Sequence, residues 1–119
     1  MHLYLGIDFG TTGVRTSVIN EKKEELINYS VSIESPISKG SLVYQNPNLW
    51  WEALLKNFHY LKLKINLEDI KRLSIDGTSG TVLITNGLGD PIDHALMYND
   101  ASSGKEAEYT EVISSGHPI

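Results

Sequence analysis

The sequence predicts an α/β domain whose mixed sheet opens with a three-stranded antiparallel meander. Three apolar or alternating runs, at residues 3–9, 14–20 and 26–33, follow one another with only short turns between them. That pattern is typical of neighbouring antiparallel strands. A segment with helical spacing then precedes another apolar run at residues 70–75. Strands, a helix and further strands around one core indicate the α/β class.

The composition indicates one globular domain and excludes several kinds of site. At 119 residues the chain can form one modest core, and 40% hydrophobic with 21% charged residues is ordinary for globular proteins. The net charge of −5 argues against nucleic acid as a partner, and no apolar run approaches the roughly 20 residues of a membrane span. The absence of cysteine excludes disulfides, thiol catalysis and cysteine zinc sites. Without a basic leader before the first strand, we expect a cytoplasmic protein.

The first apolar run ends in an acid and a glycine-rich turn. We expect this strand to be buried on both faces, because it is almost continuously apolar. Asp8 stands at its end, and Gly10 and Gly13 flank Thr11 and Thr12. The glycines permit positive φ and place no Cβ before a ligand, while successive amides and two hydroxyls suit phosphate oxygens. Mg²⁺ between Asp8 and a phosphate would remove their repulsion. The alternative is that Asp8 and the threonines only cap a tight turn.

The middle of the chain predicts a connection and a helix. Residues 34–47 lack periodicity and contain proline and glycine, so we expect a long loop there. Asn46 and Pro47 announce a helix, with Asn46 as its cap. Of two adjacent tryptophans, Trp50 and Trp51, one is expected to pack in the core and the other to face outward. The apolar face of this helix consists of Trp50, Ala53, Leu54, Phe58 and Leu61.

The run at residues 70–75 repeats the arrangement of the first strand. We expect it to be buried and to end at Asp76, with a small-residue turn from Gly77 to Gly80. Later strands are expected to continue the sheet into a ribonuclease H-like core, with both turns at the carboxyl ends of strands, where open α/β sheets bind ligands. Asp76 alone would also serve as a turn cap. The remaining predicted elements are a strand at 81–85, a two-glycine turn at 86–90, a returning strand at 95–98 and a segment of mixed helical character at 102–115, fraying toward 116–118.

Four segments occur in an order and spacing that resemble a known family. They are Gly6–Gly13, Asn48–Trp51, Ile75–Leu83 and Ala95–Asp100. Together they resemble the amino-terminal part of an FGGY-family carbohydrate kinase, and within it the xylulokinase-like D-ribulokinases. The resemblance extends over most of the chain. It implies the ribonuclease H-like fold that actin, hexokinase and the heat-shock ATPases share.

The resemblance also implies an activity and a set of binding residues. The expected reaction is ATP- and Mg²⁺-dependent phosphorylation of a small ketose, D-ribulose or D-xylulose. By position, Asp8 would lie beside Mg²⁺, through water, and beside the substrate, and Gly10, Thr11, Thr12 and Gly13 would hold the γ-phosphoryl group. Asn99 and Asp100 are expected to face the sugar, although they could instead form only a turn after a strand. The full set of residues expected to face the sugar, besides Asp8, is Asp76, Thr78, Ser79, Gly80, Asn99 and Asp100.

Departures from the family pattern limit what residues 1–119 are expected to do. Many relatives have arginine where this chain has Ser102, and glycerol kinases have a different segment at 78–80, so glycerol is a poor candidate. The family's catalytic aspartate lies beyond residue 119. We therefore expect a partial N-terminal kinase domain, the first lobe without the second, that has no catalytic residue of its own and is inactive alone. The surface left by a missing lobe is expected to permit self-association.

Two other functions stay open at this point. One is a non-sugar ATPase lobe of the actin or chaperone type, against which Tyr98, Asn99 and Asp100 argue. The other is a non-catalytic interaction fragment.

Overall fold

A computed structural model describes residues 1–115, and the predicted fraying end at 116–118, with His117, lies outside the described residues. Two small sheets, two α-helices and one 3-10 helix make up the described residues. Their bounds in chain order are β1 Leu3–Phe9, β2 Gly13–Asn20, β3 Glu25–Ser32, β4 Ile37–Lys39, β5 Leu42–Gln45, α1 Asn48–Lys64, a 3-10 helix Leu67–Asp69, β6 Ile70–Gly77, β7 Ala95–Leu96 and α2 Gly104–Ser114.

The larger sheet has the strand order β3-β2-β1-β6. Strands β1, β2 and β3 form the predicted antiparallel meander, and β6 lies parallel to β1. Alternate residues of β1 face opposite sides of the sheet. Leu3, Leu5 and Ile7 are buried under α1, whereas Asp8 on the other face is exposed. The prediction that β1 is buried on both faces is therefore wrong.

Helix α1 covers β2 and β3, as its apolar spacing predicts. The N-cap of α1 is Pro47 and not the expected Asn46, whose side chain accepts a hydrogen bond from the Asn48 N–H (3.0 Å) just before the helix. Trp50 is half-buried and Trp51 is 62% exposed, so the two indoles face different surroundings as predicted. The fully buried helix positions are Ala53, Asn57 and Leu61.

Strand β6 continues the first sheet as expected, but β7 does not and joins β4 and β5 in a second sheet. Its order is β4-β5-β7, so the loop predicted at 34–47 contains two short strands. The strand predicted at 81–85 is reduced to isolated bridges to Leu96 and Pro91. Gly80, with φ of 74°, directs the chain away from the edge of the first sheet. The Met97 N–H then bonds the Val43 carbonyl (2.9 Å) in the second sheet.

Strand β6 is exposed, which corrects the prediction that it is buried. Leu73 and Ile75 share the α1 face with Leu5 and Ile7, yet they are 56% and 59% exposed. The reason is that α1 packs over β2 and β3, so within residues 1–115 nothing covers β6 at the sheet edge. Helix α2 confirms the helical character predicted near the end, but it contributes no buried residue. None of the helices in the described part of the chain has the length and apolar character needed to cross a membrane.

Candidate functional site

The parallel pairing of β1 and β6 brings both predicted turns to one edge of the sheet. Phe9 lies opposite Gly77, and Asp8 lies opposite Asp76. The Thr78 N–H donates to the Phe9 carbonyl (3.1 Å), so the second turn starts directly beside the first. The expectation that both turns occupy carboxyl ends of strands is confirmed.

Two carboxylates stand side by side on the polar face of this sheet. Asp8 and Asp76 both point away from α1 and are exposed. A hydrogen bond with Asp8, together with the repulsion between the two groups, raises the pKa of Asp76 above its ordinary value of 3.8. Arg15 is the cross-strand partner of Asp8, but it is not in the salt bridges among residues 1–115. A shallow hollow of about 180 Å³ includes both acids and Arg15. The pair therefore favours a bound cation.

The turn at residues 10–13 is held by backbone hydrogen bonds. The Gly10 N–H donates to the Gly13 carbonyl (2.9 Å), and the Ile33 N–H of the segment after β3 donates to the Thr12 carbonyl (2.9 Å). Neither glycine has positive φ, which corrects one of the two predicted reasons for them; the approach of a ligand to their backbone stays a prediction. A Cβ on Gly13 would lie 3.0 Å from the Val31 carbonyl oxygen, and one on Gly10 would lie 3.1 Å from the Gly13 carbonyl oxygen. Crowding by backbone oxygens therefore disfavours a side chain at both positions.

A buried glutamine, which the sequence analysis did not single out, also holds this turn. Gln45 at the end of β5 donates from Nε2 to the carbonyls of Thr11 (3.0 Å) and Glu34 (2.7 Å). Its Oε1 accepts from the indole Nε1 of Trp50 (2.8 Å). The sequence carries only a weak signal for it, a glutamine beside the helix start in a segment without periodicity.

The turn after β6 is bound at its start and open at its tip. The Thr78 hydroxyl lies 3.4 Å from the Phe9 carbonyl, while Ser79 is exposed. Gly80 needs its positive φ, and a Cβ there would lie 3.3 Å from the Cβ of Tyr98. The turn therefore contacts the segment that contains Asn99, which is itself exposed.

Asp100 has a structural role in this arrangement. Its Oδ2 accepts from the Val43 N–H (2.7 Å), and its Oδ1 accepts from the Ser102 N–H (2.9 Å) and hydroxyl (2.6 Å). These bonds, that from the Ser102 hydroxyl first, lower the pKa of Asp100 below its ordinary value of 3.8. The carboxylate thus ties the segment after β7 to β5 in the second sheet, and its contact with a sugar stays a prediction.

A cavity of about 490 Å³ opens between the two turns. Its lining is mainly apolar with a few polar groups, a composition typical of small-molecule sites. Among residues 1–115, the hydroxyl of Thr81 in this lining is buried without a hydrogen-bond partner. The lining residues that also belong to the predicted site, or that support it, are Gly10, Gln45, Trp50, Asp76, Gly77 and Thr78.

Asp8 and Asp76 fit a magnesium ion only if other oxygen atoms complete its ligand set. Within the described range 1–115 no group of three or more carboxylate or histidine side chains converges. Mg²⁺ takes about six oxygen ligands and keeps several waters. Asp8 and Asp76 would therefore share such an ion with water and the oxygens of a bound phosphate.

Comparison with known proteins matches nearly the whole chain to one family. Residues 3–115 match the N-terminal domain of the FGGY family of carbohydrate kinases. The xylulose kinase of Staphylococcus xylosus is 29% identical over 108 residues, covering 91% of this chain and 22% of that protein. The xylulose kinase of Escherichia coli K12 is 26% identical over 109 residues, covering 92% and 22%. This chain thus spans about a fifth of the length of the curated relatives it matches.

Solved structures show the same fold. A xyloylose kinase from Brucella ovis superposes with a TM-score of 0.85 at 20% identity, over 96% of this chain and 24% of that one. A ligand-bound xylulose kinase from Lactobacillus acidophilus gives 0.81 at 14% identity, over 96% and 23%. The predicted ribonuclease H-like α/β class, with its opening meander, is confirmed.

Proposed function

This chain belongs to the FGGY family of carbohydrate kinases, and from that premise we propose that it forms the phosphate-binding part of an ATP- and Mg²⁺-dependent ketose kinase. D-Xylulose is the favoured substrate because the matched relatives are xylulose kinases. D-Ribulose is the alternative that the segment Asp76–Thr81 suggests. The proposal concerns the complete enzyme, since this chain corresponds to about a fifth of those relatives.

The observation that carries the proposal is the common edge formed by β1 and β6. The turn at 10–13, the turn at 77–80 and the acids Asp8 and Asp76 all meet there. Phosphoryl transfer depends mainly on positioning donor and acceptor and on stabilising charge. Two turns on neighbouring parallel strands would place a phosphate beside a sugar hydroxyl.

On the phosphate side, the backbone of Gly10–Gly13 and the hydroxyls of Thr11 and Thr12 would bind the γ-phosphoryl group. The absence of Cβ atoms on the two glycines lets phosphate oxygens approach the amides. Bound Mg²⁺ would neutralise charge between the phosphates and the acids Asp8 and Asp76. We assign no catalytic base to this chain, and we expect residues 1–119 alone to have little or no kinase activity.

On the sugar side, we propose that Thr78, Ser79 and Gly80 contact the substrate. Ser79 is exposed and available, while Thr78 is oriented by its bonds to β1. Asn99 lies in the segment that touches Gly80 and is exposed. We keep Asp100 as a candidate whose first role is to hold this segment in place.

The test is sugar-dependent ADP release by the complete polypeptide that contains this chain. D-Xylulose, D-ribulose and glycerol are compared at saturating Mg-ATP, and we expect turnover with a ketose and none with glycerol. Asp8→Asn is expected to lower kcat/KM roughly 10²-fold or more, as removal of a group that stabilises developing charge does. Asp90→Asn, in the exposed two-glycine turn, is the matched control. Failure to phosphorylate any ketose would refute the proposal, and sugar-independent ATP hydrolysis would favour the actin or chaperone type.

Exposed apolar side chains favour the interaction fragment as a second candidate. Leu73 and Ile75 on β6 and Val112 on α2 are more than half exposed. Contiguous apolar patches mark interaction sites, and Leu73 and Ile75 lie next to each other on one face of β6. Concentration-dependent self-association of the chain in sedimentation velocity, without Mg-ATP binding in calorimetry, would support this candidate over the kinase lobe.

A further inference from the structure

Gln45 is a buried polar side chain whose hydrogen bonds are directed at the 10–13 turn. It is 2% exposed. Both protons of its amide nitrogen are used, one on the Thr11 carbonyl and one on the Glu34 carbonyl. The indole N–H of Trp50 donates to its oxygen. Because an indole nitrogen only donates, this contact fixes which end of the amide faces Thr11.

We propose that Gln45 is a positioning residue for phosphate binding, an inference that rests on the proposed function. A trans peptide unit directs its C=O and the following N–H to opposite sides. Holding the Thr11 carbonyl toward buried Gln45 therefore turns the Thr12 N–H outward. Among residues 1–115 no acceptor bonds that N–H, so it is left for an oxygen of the ligand.

The hydrogen bond between Gln45 and Trp50 links the 10–13 turn to the wall of the cavity on the proposed sugar side. Trp50 lines the cavity that also contains Asp76 and Thr78. The orientation of the turn and the wall of the cavity therefore depend on the same amide. Half-satisfied buried networks are costly, so removal of Gln45 would release the turn as well as the indole.

Asn57 offers a matched control within the same molecule. It is also a fully buried amide, bonded to the Val14 carbonyl (3.0 Å), the Ala53 carbonyl (2.9 Å) and the Thr16 hydroxyl (2.9 Å). None of these bonds reaches the 10–13 turn. A purely structural effect of losing a buried amide should therefore appear equally in both variants.

The experiment measures Mg-ATP affinity and amide exchange in the 119-residue chain, at a temperature where each variant is folded by circular dichroism. We expect Gln45→Met to weaken Mg-ATP binding about tenfold or more, as loss of hydrogen bonds around a bound anion does. We also expect faster exchange of the Ile33 amide, which bonds the turn. Asn57→Leu should bind Mg-ATP within about twofold of wild type while unfolding at lower temperature. If Gln45→Met is not recovered folded, Gln45→Glu, which keeps the acceptor for Trp50, replaces it.

The outcomes separate this inference from the proposed function. Equal Mg-ATP affinity in wild type and the Gln45 variant, or an equal loss in Asn57→Leu, overturns the positioning role and leaves the kinase proposal intact. A wild-type chain that binds no Mg-ATP leaves the proposed function to the test of sugar-dependent ADP release by the complete polypeptide. In that case, faster Ile33 exchange in the Gln45 variant alone still supports control of the turn, and unchanged exchange overturns it.

Discussion

The two halves of the site are built on very different supports. The 10–13 turn belongs to the unit of β1–β3 and α1, where Leu3, Val14 and Leu61 are at most 1% exposed. The 77–80 turn follows β6, where Leu73 is 56% exposed. Side chains of a packed core resist displacement, while elements with few buried contacts open easily. The 10–13 turn is thus rigid in this chain, and the 77–80 turn depends on a single neighbouring strand.

Hydrogen-bonded polar side chains are buried in the packed unit of β1–β3 and α1 and exposed in α2. In the packed unit, Thr16 and Asn57 are fully buried and bonded to each other and to the backbone. In α2, Thr110 makes a comparable hydroxyl bond to the Glu106 carbonyl, but in an exposed setting. Buried hydrogen bonds are expensive to leave half made, whereas water replaces exposed ones. The four predictions below test this comparison.

Truncation of a leucine should separate the two regions most strongly. Leu61→Ala removes a fully buried side chain between α1 and the sheet, and we expect a loss of about 2–5 kcal/mol in the free energy of unfolding. Leu73→Ala, on β6, should cost no more than about 1 kcal/mol because most of that side chain is already in water. Urea unfolding of the chain followed by circular dichroism measures both. Similar losses for the two variants would contradict the difference in packing.

Removal of one hydroxyl should give the next largest effect. Thr16→Val leaves the Asn57 oxygen buried without its donor, and we expect a loss of about 1–3 kcal/mol. Thr110→Val in α2 is the control, expected within about 0.5 kcal/mol. The same urea unfolding experiment measures both variants. If Thr16→Val leaves the free energy of unfolding unchanged, the Asn57 hydrogen bonds are not satisfied as described.

The elements that the sequence predicted well are those with local signals. The meander and α1 have long periodic runs, so their spacing indicates both the element and its buried face. β4 and β5 have three and four residues, too short for a period to show. Burial of β6 was inferred from apolar composition, yet burial depends on which neighbours cover a strand. No local sequence pattern indicates that α1 does not lie over β6.

The site was predictable in position but not in its supporting contacts. The acid and small-residue turn predicted at the end of each strand do lie at one edge of the sheet, because β1 and β6 pair in parallel, a pairing that the sequence pattern did not indicate. Gln45 contacts Thr11 across 34 positions of sequence, and no spacing rule links them. The crowding at Gly10 and Gly13 could not be predicted either, since the crowding oxygens include one on β3.

Asp100→Asn should weaken the second sheet. The pKa of Asp100 is lowered in the folded chain, so its contribution to stability is present above the unfolded pKa of about 3.8 and is lost as pH falls through the lower folded pKa. We expect a lower thermal midpoint than wild type at pH 7 and a shrinking difference as pH falls below 3.8. Midpoints by calorimetry between pH 2.5 and 7 measure this. A constant difference across that range would show that the carboxylate charge is not involved.

Asp76→Asn should give the smallest effect and the opposite sign. The pKa of Asp76 is raised by Asp8, so the folded chain binds more protons than the unfolded chain as pH rises from about 3.8 through the folded pKa. Wild type therefore loses stability as pH rises through that range. The variant lacks the repulsion, so at pH 7 it should have a slightly higher thermal midpoint than wild type. Below pH 3.8 the two midpoints should be equal. Added Mg²⁺ should raise the midpoint of wild type more than that of the variant, because a ligand of the folded state stabilises in proportion to its affinity. A variant that melts lower than wild type at pH 7 would mean that the two carboxylates already have a compensating partner, and that the open half of the site is better held than its exposure indicates.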